Sequence, residues 1–183
     1  TSSTLEWGLY WAADGTYTQR FIFEVSADGN AGTKEAADVL GATVTAGWYF
    51  IVAWHDKTAN TINIQVNDGT ADSGAHTTGS ADRAGVFEIG RRDAGSYWNG
   101  RIGPSGFWKR MLTATEKTWL YNSGDGRKYA DLTTQLKSEL QGWWNLTEAS
   151  GNRADSHGAN TLVDNNTVTN NAGPTFSDDF ASL

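Results

Sequence analysis

The residue types able to do chemistry are thinly spread along the 183 residues. Cysteine is absent, which removes thiolate nucleophiles, thiolate zinc sites and disulfides and leaves either redox compartment open. The three histidines, His55, His76 and His157, are far apart in the sequence, and none has a partner at a two-histidine metal spacing. His55 closes an expected strand and reads as a surface or locally hydrogen-bonded residue. Retaining glycoside chemistry needs two carboxyl groups roughly 5 Å apart. Glu24 with Asp28, and Glu35 with Asp38, are wrongly spaced for such a pair, and Glu24 is expected on the wet side of its strand. No Gly-x-Ser-x-Gly elbow is present, and no glycine-rich phosphate loop precedes a helix, so an enzyme is not expected. Arg91, Arg92 and Asp93 read as a solvated, self-paired loop. What remains is stacking: Tyr97, Trp98, Tyr10 and Trp11 adjoin loops, where their rings can cover a sugar or serve as core and subunit contacts.

Composition narrows the partners. The net charge is −7 with only six Lys, which argues against neutralising a phosphate backbone, so nucleic acid is not an expected partner. No apolar run approaches the roughly 20 residues that cross a bilayer, and membrane insertion is not expected. Thr1 to Leu5 lack a signal-peptide pattern, which suggests a soluble chain or a mature fragment. Nine Trp, 21 Gly and two Pro suit strands rich in aromatics joined by turns that tolerate left-handed backbone.

The elements follow from periodicity. In "TINIQVNDG", Ile62, Ile64 and Val66 alternate with Asn63, Gln65 and Asn67, predicting one buried and one wet face with a turn at Asp68-Gly69. "RFIFEV" sets Phe21, Phe23 and Val25 against Arg20, Ile22 and Glu24, and "GVFEIG" sets Phe87 and Ile89 against Glu88. "GWYFIVAWHD" is apolar on both faces, with Trp48, Phe50, Val52 and Trp54 on one and Tyr49, Ile51 and Ala53 on the other, so a helix, a subunit or a ligand is expected to cover the second. Trp48, Trp54, Trp108 and Trp143 are assigned to the core. "LTATEKTWLYNSGDG" carries a capping box, Thr113 with Glu116, and a stop at Gly124, predicting a helix of two to three turns. "DLTTQLKSELQ" spaces Leu132, Leu136 and Leu140 on one stripe of a second short helix. Strands between turn signals with one or two short helices predict an all-β, two-sheet antiparallel jelly-roll sandwich.

The order of these segments resembles the laminin G-like, concanavalin A-like lectin/glucanase jelly rolls found in bacterial surface and phage proteins. The resemblance rests on Trp48 to Asp56, Ile62 to Gly69, Phe87 to Gly90, an aromatic-x-Gly-x-Ile strand at Trp98 to Ile102, Trp108, Leu112, and Thr113 to Glu116, and it covers about residues 45–129. The family's first strand resembles a later segment, Trp143, Trp144, Leu146, Glu148, Ser150, Gly151, Asp155, Ser156 and Gly158, so the chain is out of phase with the family. Residues 1–130 then form the main part of the jelly roll, and 131–183 supply a short helix and a first-strand-like segment. Three readings stay open: a circular permutation, a tandem array cut after a second copy begins, and strands supplied by a neighbouring molecule.

The resemblance implies a non-enzymatic module. The laminarinase-type relatives carry Glu-x-Asp-x-x-Glu on one strand, which is absent here. It also implies calcium held at a sheet rim by carboxylates and carbonyls, with Asp155 and Asn160 as the best candidates and Asp56 and Asp68 as weaker ones; their alternative role is turn-making. The implied function is a structural, decorating or adhesive element of a virion (phage head decoration or fibre) or an extracellular surface, associating with copies of itself or other surface proteins. Its rival is a calcium-assisted, glycan-binding lectin-like module.

Overall fold

The structure is a computed structural model that describes residues 5–12, 19–30, 32–36, 46–92, 96–165 and 167–169. Asp38 and Asp93 lie outside the described residues. The chain divides into two compact units, Thr1–Tyr97 and Trp98–Leu183.

The first unit is a sandwich of two antiparallel three-stranded sheets. One contains β1 (Trp7–Ala12), β2 (Arg20–Val25) and β3 (Thr33–Ala36), with β2 in the middle; the other contains β4 (Ile51–Asp56), β5 (Thr61–Val66) and β6 (Asp72–Ala75), with β5 in the middle. The alternation expected from sequence places Phe21, Phe23 and Val25 of β2 in one core with Ile62, Ile64 and Val66 of β5. Each buried aliphatic or aromatic side chain of this kind contributes roughly 1.5–3 kcal/mol. The β5 to β6 turn forms where expected, with Asn67 in left-handed backbone and the Gly69 N–H donating to the Val66 carbonyl.

Four expectations for this unit are corrected. The core face of β4 is the Tyr49, Ile51 and Ala53 side, which packs on the cluster, while Trp48 is 40% exposed and Trp54 is half-buried. Register decides this: Ala53 pairs with Ile64 and Ile51 with Val66, so the inward phase of β5 selects the smaller residues of β4. Asn63 and Gln65 are buried rather than wet, and their amides are turned to backbone, Asn63 Nδ2 to the Trp54 carbonyl and Gln65 Nε2 to the Gly69 carbonyl. Glu24 is likewise 0% exposed; its oxygens accept from the Tyr10 hydroxyl at 2.8 Å and the Gly32 N–H at 2.8 Å. A central strand flanked on both sides leaves little room for water, so its polar side chains survive only with partners. Lastly, Phe87 and Ile89 lie in irregular chain, and Phe87 is exposed, its ring tilted against that of Trp7 with the centroids 5.8 Å apart.

The second unit is built on β9 (Ser105–Trp108), α1 (Ala114–Tyr121), α2 (Thr134–Lys137) and β10 (Leu140–Trp144). A short two-stranded ribbon, β7 (Arg91–Arg92) with β8 (Ser96–Tyr97), closes the first unit. The capping box forms as read: Thr113 accepts from the Glu116 N–H, and the Glu116 carboxylate accepts from the Thr113 N–H. The helix stops at Asn122 in left-handed backbone, ahead of Gly124. The expected second helix is cut to four residues, because Glu139 turns left-handed and Leu140 enters β10; Leu132, Leu136 and Leu140 are all buried, but from three different local structures. Trp98 to Ile102 form no strand. The first-strand-like segment is paired inside the chain: β10 runs antiparallel to β9, with Leu140 opposite Trp108 and Trp144 opposite Ser105. Trp143 and Trp144 are buried, and Trp108, half-buried, meets Trp143 edge-on at 5.9 Å and donates its indole N–H to the Leu136 carbonyl at 2.7 Å.

Candidate functional site

The residues expected to act do not converge on one place. Tyr10 and Trp11 sit side by side in β1 and point to opposite faces, as a strand requires. Tyr10 gives its hydroxyl to the buried Glu24, and Trp11 packs on the core with its ring edge-on to Phe21 at 5.0 Å. Both rings are therefore engaged in holding the sandwich. Tyr97 ends β8 and Trp98 follows it in irregular chain, with 55% and 40% of their surfaces exposed. These two rings are open to a ligand or a partner.

The expected calcium ligands are not gathered. Asp56 ends β4 and Asp68 follows β5, so they flank opposite ends of β5. Asp56 Oδ1 accepts the N–H groups of Thr58 and Ala59, both at 2.9 Å, and so builds the turn into β5. Asp155 and Asn160, in the second unit, do come together. Asp155 Oδ1 accepts from the Trp143 N–H at 3.0 Å and the His157 N–H at 2.9 Å, and Oδ2 accepts from the Asn160 N–H at 3.0 Å. Burial pushes this carboxyl up, but the backbone N–H groups of Trp143, His157, Gly158 and Asn160 outweigh it and hold the pKa down at about 2. An ionised carboxylate offers about four lone-pair sites, and three backbone donors take two on Oδ1 and one on Oδ2, so Asp155 acts here as the acceptor that closes its own loop. Asn160 completes the clasp, its side-chain amide donating to the Gln141 carbonyl and its own carbonyl accepting the Trp144 indole N–H at 2.7 Å.

A further pairing was hidden in the sequence. His55 at the end of β4 and His76 just after β6 meet, their ring centroids 5.2 Å apart. No local spacing signals this contact, because it depends on how β5 registers with both neighbours. Among the described residues, no group of three or more His, Asp or Glu side chains is arranged to hold a metal, and no helix is long and apolar enough to cross a membrane.

Residues 1–116 match the family model of the concanavalin A-like lectin/glucanases superfamily, laminin G-like type. No curated protein and no solved structure matches the chain.

Proposed function

Because the chain belongs to the concanavalin A-like lectin/glucanases superfamily, we propose that it is a non-catalytic surface module: a structural, decorating or adhesive element that associates with copies of itself or with other proteins of a virion or extracellular surface. The family's laminin G-like domains are generally non-catalytic and typically extracellular, which supports the coarse reading. The observation that carries the association is apolar exposure in the first unit: Val86 is 81% exposed, and Phe87 and Tyr97 are exposed as well, all outside the sandwich core. Large apolar and aromatic side chains left exposed are the kind that protein contacts cover. Light scattering after size exclusion tests this. A discrete oligomer that persists on dilution is expected, whereas a folded 19.8 kDa monomer at every concentration would remove the self-association.

A glycan-binding role is favoured by exposed aromatic rings, Tyr97 in the first unit and Trp98 in the second, each of which can stack on a sugar face. With three backbone donors already on Asp155, calcium assistance in this reading is assigned first to Asp56 and Asp68. A glycan screen with and without calcium checks both parts. Trp98→Ala is expected to abolish any hit while leaving the β-sheet circular dichroism unchanged.

A further inference from the structure

His76 is 3% exposed, and its backbone N–H donates to the Asn60 carbonyl at 2.7 Å. Its ring Nε2 lies 2.8 Å from the Gly79 carbonyl oxygen. A carbonyl only accepts, so Nε2 carries the hydrogen and the neutral ring keeps its lone pair on Nδ1. That Nδ1 is buried without a hydrogen-bond partner. One ring nitrogen anchored to a carbonyl while the other presents a bare lone pair is the arrangement of a metal-ligating imidazole.

His55 stands beside it, with the ring planes at 82° and the centroids 5.2 Å apart. Two imidazoles on one tetrahedral ion, with metal–nitrogen bonds of about 2.0–2.1 Å, have ring centres about 5 Å apart. The observed centroid spacing is the one that a shared ion would impose. His55, though not the buried His76, lines an open cleft of about 450 Å³ with Lys57, Asn60, Thr77, Thr78, Gly79 and Ser80, which gives access to the pair from the His55 side and places hydroxyl and amide oxygens nearby. We propose that His55 and His76 form a two-histidine site for a divalent transition-metal ion of the imidazole-preferring class, namely zinc, copper or nickel, with water or cleft oxygens in the remaining positions.

Two charges face the pair. Asp56 favours a cation at His55 and Lys57 opposes it. Burial, then the neighbouring His76, pull His55 below its usual 6.5, which disfavours a proton on its ring. The donors are nitrogen, which separates this site from the oxygen-rich calcium chemistry of Asp56 and Asp68.

Calorimetric titration of the tag-free full chain with zinc chloride at pH 7.5 tests the proposal. One equivalent is expected to bind, at least tenfold more weakly in His55→Ala and unchanged in the His157→Ala control. His55 is half-buried, so its truncation is expected to leave the fold intact by circular dichroism. Absence of saturable binding by the folded wild-type chain, or equal binding in His55→Ala, would overturn the site.

Discussion

Among single residues, the structure separates polar groups that hold the fold from those free to act. Asp155 belongs to the first kind, because its carboxylate collects N–H groups from the strand at Trp143 and from the loop at His157, Gly158 and Asn160. Asp155→Ala would leave the buried Trp143 N–H without its acceptor, and unmet donors of this kind cost about 1–3 kcal/mol each. The expected loss is roughly 2–3 kcal/mol of unfolding free energy, measured by urea titration followed by tryptophan fluorescence. Addition of calcium to the wild-type chain is expected to leave the Asp155 clasp unchanged, read as an unshifted Trp143 amide resonance. Asp155 was visible in the sequence as either a ligand or a turn-maker, and its turn-making donors, drawn from Trp143 as well as from its own loop, appear only in the structure. Glu24 illustrates the opposite failure: alternation placed it on the wet face, and the Tyr10 hydroxyl that makes its burial tolerable comes from another strand.

Elements in the second unit are tied together by one arginine. Arg110 grips both oxygens of Glu116, at 2.8 and 2.7 Å, and also donates to the Gln135 and Ser138 carbonyls, linking the start of α1 to both ends of α2. The Arg110 contact, against burial and helped by Thr113, brings the Glu116 carboxyl down to about 2. Thr113→Ala removes the cap and is expected to cost about 1 kcal/mol. Arg110→Ala leaves the nearly buried Glu116 uncompensated and is expected to cost more, about 3 kcal/mol, both read from urea midpoints. The β9–β10 ribbon depends on two glycines. A Cβ on Gly106 would stand 2.6 Å from the Trp143 ring and 2.8 Å from the Trp108 ring, and one on Gly142 would stand 2.7 Å from the Trp144 ring. Gly106→Ala is therefore expected to destabilise by about 1–3 kcal/mol and to shift the tryptophan emission maximum as the indoles move apart. The capping box was legible because all its parts lie within four residues. The truncated second helix was not, since the stripe of Leu132, Leu136 and Leu140 satisfies burial equally well from a turn, a helix and a strand.

Across the whole molecule, acid acts in two steps. His55 has a folded pKa below 6.5, so the unfolded chain takes its proton first, and stability is complete above 6.5 and declines as pH falls through that value. Asp155 and Glu116 have folded values of about 2 against ordinary values of 3.8 and 4.5, so their contribution is full above 4.5 and disappears as pH falls towards 2. Urea midpoints from pH 8 to 3 are expected to fall in both windows, and His55→Gln is expected to flatten only the upper one. The sequence alone determined that the chain is an all-β sandwich with a capped helix, because hydrophobic period, turn residues and capping pairs act over a few positions. It also carried enough ordered motifs to resemble the family that residues 1–116 match. Only the tertiary structure decided which face of β4 is inside, what shelters Glu24, where the "GWWNL" segment pairs and that His55 meets His76. Each of these depends on the register between strands distant in sequence, and a one-residue change of register moves every side chain to the other face.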